Sequence, residues 1–147
     1  MLTIHNLAFQ GRFGWDVFPQ LRLDYRSASE GAIEYWGGIS FLKAGLQCAD
    51  RLTTVSPTYA HEIRTAAYGM GLEGLLQARA DALVGILNGI GTDDWNPGDD
   101  KALNERYSAS STHLRAGNKA ALAAEFKLDP GPGPLFGVVS RLTLQKG

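Results

Sequence analysis

The apolar residues of this chain fall into short blocks, and their spacing switches between the periods of strands and of helices. "LTIHNLAF" opens with a β-rich apolar run that predicts a strand from Leu2 to about His5. "QGRFGWDVFPQLRLDYRSASEG" is punctuated by glycine, aromatic and without clean period. It reads as a long surface loop with one short helical turn. In "GISFLKAGLQCAD", Ile39, Leu42, Leu46 and Ala49 share one face of a helix. "RLTTVS" is short, apolar and β-branched, as a buried strand from about Leu52 to Val55 would be. Ser56 then stands where an N-cap oxygen is needed. Pro57, at the first helical position, gives up an N–H that no helix uses there.

Farther on, "GLEGLLQARAD" sets Leu72, Leu75 and Leu76 on one face of a short helix, and "ALVGILNG" reads as another buried strand ending in Asn88-Gly89. From Thr92 to Ser110 the chain is polar and turn-rich, and the stretch Thr92–Ala109 is the natural place for a domain boundary. "STHLRAGNKAALAAEFKL" predicts a helix that turns Leu114, Ala121, Leu122 and Phe126 toward a core. Gly117 inside it costs about 1 kcal/mol against alanine. "DPGPGP" breaks that helix, and "LFGVVS" reads as a last buried strand. Strands alternating with helices predict a parallel α/β sheet, and continuous apolar strands predict that both its faces are covered.

Composition narrows the reading. With 147 residues, 44% of them apolar and 20% charged, the chain has the makings of an ordinary folded domain. A net charge of −1 offers no basic surface for nucleic acid. One cysteine, Cys48, excludes an internal disulfide and fits a reducing compartment. No run spans a bilayer and no secretion signal opens the chain, so the expected location is cytoplasmic, with neither membrane nor nucleic acid as partner.

Ligands of open parallel sheets bind beyond the carboxyl ends of the strands. The polar tags at such ends are His5-Asn6, Ser56, Asn88-Gly89 and Ser140-Arg141. Arg141 and Lys146 flank a turn before an expected helix start and could neutralise a pyrophosphate; equally, they could be solvated surface charges. His5 could bond a sugar hydroxyl or move a proton, or simply satisfy a strand-end carbonyl. Asn6 and Asn88 could bind hydroxyls or form turns. His61 and His113 read as surface residues, and Asp93, Asp94, Asp99 and Asp100 as loop carboxylates. The aromatics Phe9, Phe13, Trp15 and Phe18 could stack on a sugar or pin their loop to the core. The sequence holds no metal constellation, phosphate loop, G-x-G-x-x-G or nucleophile elbow, and no cofactor is expected.

Several strings in one order carry more. "TIHNLAFQG", "FLKAGLQCADRLTTVSPTYAHEI", "GLEGLLQARADALVGILNGI", "WNP", "NKAAL" and "FGVVSRLTLQKG" closely resemble the central part of the bacterial glycogen synthases and the related plant starch synthases. The likeness is weakest in Gly11–Ile33 and around Lys101–Thr112. It implies an α/β chain that is part of a B-type glycosyltransferase fold, two Rossmann-like domains, truncated at both ends. By resemblance, 1–90 is the latter part of the N-terminal, glucan-acceptor-side domain. Residues 91–147 are the linker and the start of the C-terminal nucleotide-sugar-binding domain.

The implied activity is transfer of glucose from ADP-glucose to the nonreducing end of an α-1,4-glucan, with retention at the anomeric carbon and the fragment itself inactive. In this resemblance Arg141 and Lys146 match a pair that contacts the donor diphosphate. His5 and Asn6 match residues near the transferred glucose, and Asn88 matches an asparagine of the same cleft. The chain departs from the family at "NGIG", where Gly91 replaces an acid, and at Phe9, where a tyrosine is usual. The family's "KTGGL"-type segment and its later glutamate-bearing segment are absent from this sequence. Half a sheet would leave exposed edges and so favour self-association. A rival reading is a non-catalytic glucan-binding remnant that works through the aromatic loop, and a blander one is a truncated product without activity.

Overall fold

A computed structural model of the chain describes residues 1–129 and 131–142. The chain divides into two compact units, Met1–Gly89 and Ile90–Gly147. The first unit is built on a parallel sheet of β1 (Leu2–Ile4), β5 (Leu52–Thr54) and β6 (Leu83–Gly85), in the order β1-β5-β6. Leu2 pairs with Leu52, which pairs with Leu83. Because side chains alternate across a strand, this register places Ile4, Leu52 and Thr54 on one face and Thr3, Thr53 and Val84 on the other.

The helices cover only the first of those faces. Helix α1 (Phe41–Cys48) brings Leu46, helix α3 (Glu73–Ala78) brings Leu76, and the turn after α2 (Pro57–Glu62) brings Ile63. These side chains pack with Ile4, Leu7, Leu52 and Leu72 into one fully buried cluster. The opposite face is open. Thr3 and Thr53 join hydroxyls across it at 2.8 Å, and Val84 is 53% exposed. The expectation of two covered faces therefore fails within this unit, where every helix lies on the Ile4 side. Local chemistry fixes the boundaries as read. The Ser56 hydroxyl accepts the Tyr59 N–H at 2.9 Å with Pro57 behind it, and the Ser40 hydroxyl caps α1 at Lys43.

Between β1 and α1 the chain is more regular than its sequence promised. Strands β2 (Arg12–Phe13), β3 (Glu34–Tyr35) and β4 (Gly38–Ser40) form an antiparallel sheet in the order β2-β4-β3. Two 3₁₀ turns, Trp15–Leu21 and Tyr25–Ala28, lie between them. Phe18, Ile33 and Ile39 make a second small core beneath this sheet, so the supposed surface loop is tied down. The β3–β4 hairpin turns on Trp36 and Gly37 at φ 49° and 76°. Two successive positive φ values match the twist of a tight hairpin, but the left-handed region costs a side chain such as tryptophan about 1–2 kcal/mol.

In the second unit, α4 (Arg115–Glu125) follows a 3₁₀ turn at Thr112–Leu114, and the polar stretch before it carries no helix or strand. The helix buries Ala123, while Leu122 and Phe126 face solvent, contrary to the spacing argument. Nor does "LFGVVS" form a strand: Val138 and Val139 are fully open. A strand exists only by pairing, and among the described residues of this unit no partner strand is present.

Candidate functional site

The segments that follow β1 and β6 border the open face of the parallel sheet on either side of β5. There His5, just past β1, and Asn88, past β6, line one hollow of about 250 Å³ with Thr3, Thr53 and Val55. Both side chains are exposed, and among the described residues neither finds a hydrogen-bond partner. The His5 imidazole therefore does not serve a strand-end carbonyl here. An imidazole and a carboxamide on the lining of one hollow can both bond hydroxyls of a sugar.

The loop that carries His5 is held from below. The Leu7 N–H donates to the Tyr59 hydroxyl at 3.0 Å, which ties the segment after β1 to α2. The buried Thr54 hydroxyl donates to the Ile4 carbonyl at 2.8 Å and fixes the end of β1 against β5. Asn6 turns its Oδ1 to the Ala8 N–H at 3.0 Å, so its oxygen makes the turn and only its amide N–H groups point elsewhere. Ser56 is committed to its cap. Gly85 lets β6 pass against the Ser56–Pro57 backbone, and so sets where Asn88 emerges.

Among the described residues, no other candidate of the sequence lines this hollow. Arg141 is exposed in the second unit, and Lys146 lies outside the described residues. His61 meets Arg64 on the surface of α2, His113 is exposed, and the Asp99 and Asp100 carboxylates brace local turns. Among the described residues no group of His, Cys, Asp and Glu could hold a metal ion, and no helix is long and apolar enough to cross a membrane. In the aromatic loop, Trp15 packs edge-on against buried Phe18 at 5.6 Å and Phe13 lies against Phe41 at 5.3 Å; only Phe18 belongs to the second core, while Phe13, Trp15 and Phe41 are exposed.

A family model described as the starch synthase catalytic domain matches residues 1–78, more than half of the chain. The chain belongs to the starch synthase catalytic-domain family. Within that family its likeness runs end to end. The glycogen synthase of Rhodopseudomonas palustris (strain TIE-1) is 57% identical over 148 residues, covering 100% of this chain and 31% of that protein. The glycogen synthase of Novosphingobium aromaticivorans is 53% identical over 147 residues, covering 100% of this chain and 30% of that one. Among solved structures, the catalytic domain of starch synthase IV from Arabidopsis thaliana, bound to ADP and acarbose, superposes with a TM-score of 0.74 at 32% identity. That match covers 89% of this chain and 27% of that chain. The fold is accordingly α/β and part of the B-type glycosyltransferase architecture. This starch synthase family chain spans 31% of the length of the first curated relative it matches.

Sequence reasoning missed the supports of the site rather than its tips. Tyr59 and Thr54 position the ends of the strands, yet nothing in "TTVSPTY" marks a hydroxyl that reaches back to Leu7 or Ile4. Gln10 is buried and donates to the Met70 carbonyl at 3.0 Å, which the Tyr35 hydroxyl also reaches at 3.2 Å. A single buried glutamine carries no periodic signature.

Proposed function

We propose that this chain is part of a retaining hexosyltransferase of glycogen synthesis, which moves glucose from ADP-glucose to the nonreducing end of an α-1,4-glucan. The reading is carried by one combination: end-to-end identity to glycogen synthases, with His5 and Asn88 converging on one hollow at the strand ends. The Arabidopsis relative, bound to ADP and acarbose, supports the same pair of ligand classes for this chain. On this reading 1–90 is the latter part of the acceptor-side Rossmann-like domain. Residues 91–147 are the linker and the start of the nucleotide-sugar domain. The protein works in the cytoplasm, and the exposed sheet edges of the 147 residues favour self-association.

The roles follow from chemistry. His5, the Asn6 amide and Asn88 bind hydroxyls of the transferred glucose and fix the ring. Arg141 and Lys146 neutralise the diphosphate. As the glycosidic bond breaks, negative charge grows on the leaving phosphate, and fixed cations stabilise that charge more than they do the ground state. The acceptor hydroxyl attacks from the same face and passes its proton to the departing diphosphate, which gives retention without a carboxylate nucleophile. The test is a chimera in which these 147 residues replace the matching stretch of the Rhodopseudomonas palustris glycogen synthase. Arg141→Ala and Lys146→Ala should each lower kcat by about 10²-fold or more. Unchanged kcat in both variants would overturn the assignment.

A further inference from the structure

Buried polar side chains are costly unless they are bonded, so the places where a fold keeps them show what it must hold still. Apart from the Tyr35 hydroxyl, those buried among the described residues are Gln10, Ser40 and Thr54, at 8%, 0% and 1% exposure. All three serve one segment, from Ile4 to Gln10. At its start, the Thr54 hydroxyl donates to the Ile4 carbonyl at 2.8 Å. At its end, the Ser40 hydroxyl donates to the Gln10 carbonyl at 2.8 Å, and the Gln10 side-chain amide donates to the Met70 carbonyl at 3.0 Å.

This segment carries His5 and Asn6, and its middle is a turn. The Asn6 Oδ1 accepts the Ala8 N–H at 3.0 Å, and the Asn6 carbonyl accepts the Phe9 N–H at 3.4 Å. Leu7 is buried, but Ala8 and Phe9 are exposed, so the next buried side chain after Leu7 is Gln10. The direction of the Asn6 amide therefore depends on where the turn leaves, and Gln10 sets that point. Volume alone does not call for glutamine, since methionine would fill the space without burying an amide. What the amide adds is the link to Met70, whose backbone is left-handed at φ 51° although it is not glycine. The Met70 carbonyl takes the Gln10 amide and the Tyr35 hydroxyl, one donor for each lone pair. An unfavourable backbone conformation persists only where its surroundings fix it, and here two buried side chains do so.

We propose that Gln10 is a positioning residue for Asn6 and His5: its amide locks the exit of their segment to the Met70 carbonyl, as Thr54 locks the entry. The inference rests on the transfer reading above, in which these two side chains hold the transferred glucose. Gln10 itself is buried and acts through them. A holding group misplaced by about 1 Å can cost about 10²-fold in rate. The loss should fall on kcat, because other residues make the diphosphate contacts that hold the donor.

The experiment has two arms. In the 147-residue chain, nitrogen-15 relaxation reports the backbone order of Asn6, Ala8 and Phe9. Order parameters of about 0.85 are expected in the unaltered chain, falling to about 0.6 in Gln10→Met. Gln10→Asn, which keeps a neutral amide but falls one carbon short of Met70, should act likewise. Tyr35→Phe removes the other donor to the same carbonyl without touching the segment, and should leave these values unchanged. In the Rhodopseudomonas palustris chimera, Gln10→Met should lower kcat at least about tenfold, with KM for ADP-glucose within about twofold and ADP binding at unchanged stoichiometry. Tyr35→Phe should keep kcat. Unchanged order at Asn6 and Ala8 in Gln10→Met, or an equal fall of kcat in Tyr35→Phe, would overturn the role. A fall in ADP stoichiometry that accounts for the whole loss of kcat would also overturn it, because Gln10 would then serve folding alone. An unaltered chimera without activity would defeat the transfer reading instead, and the relaxation arm would still decide whether Gln10 holds the Asn6 turn.

Discussion

Replacing Gly85 by alanine should do more damage than a single methyl suggests. A Cβ at this position would stand 2.2 Å from the Ser56 carbonyl oxygen, 2.4 Å from its carbon and 2.4 Å from the Pro57 nitrogen. Comfortable contact needs about 3.5 Å, so the backbones must part by about 1 Å. Neither can do so freely. The Ser56 carbonyl accepts the Ala60 N–H at 3.0 Å as the first bond of α2. Gly85 is held to Thr54 by the sheet, and the next residue, Ile86, donates to the Thr54 carbonyl at 2.8 Å. Overpacking costs about 1–3 kcal/mol. One or two weakened backbone bonds add about 1 kcal/mol each. A total near 3 kcal/mol should lower the urea midpoint by about 2 M at a slope of about 1.5 kcal/mol/M. Gly74→Ala is the matched control. It lies in α3 with nothing within 4 Å of its added carbon, and should stabilise by about 0.5–1 kcal/mol. The assay is urea unfolding followed by far-ultraviolet circular dichroism. A Gly85→Ala midpoint indistinguishable from the unaltered chain would refute the close approach of β6 to α2.

Arg79→Met should cost about 2 kcal/mol by the same assay, because the guanidinium donates to the Leu46, Gln47 and Ala49 carbonyls at the end of α1. An unchanged midpoint would show that water serves those carbonyls equally well. Tyr59→Phe should cost about 1–2 kcal/mol by leaving the Leu7 N–H without its acceptor, and should speed hydrogen exchange at that amide. Unaltered exchange there would argue against the tie between α2 and the His5 loop. The open sheet face and edges should drive self-association in sedimentation velocity, and Val84→Lys should reduce it, since a lysine on an edge strand blocks further pairing. A monomer at all concentrations in the unaltered chain would contradict this.

The parts of the fold legible in the sequence are those set by local chemistry. Ser56-Pro57 defines the start of α2 because an oxygen acceptor and a missing donor are both needed at that one point. Leu72, Leu75 and Leu76 announce the face of α3, and two of them are fully buried. The pairing of β2, β3 and β4 was not legible, since two of these strands have only two residues and show no alternation. Their hairpin also turns on Trp-Gly rather than on a usual turn pair. "LFGVVS" has the composition of a strand, but strand formation depends on a partner that composition does not report. Phe126 and Leu122 share a helical face, yet a face is buried only where another element meets it. At the hollow, the strand-end rule brought out His5 and Asn88, because parallel topology collects the carboxyl termini of the strands at one end of a sheet. Their hydroxyl supports come from residues distant in sequence, and no spacing rule links those.

The most direct measurement is glucosyl transfer by the chimera that carries these 147 residues within the Rhodopseudomonas palustris enzyme. Radiolabelled ADP-glucose should extend maltoheptaose at its nonreducing end, and the new linkage should be α-configured. A folded chimera that binds ADP-glucose and yet forms no such bond would contradict the account.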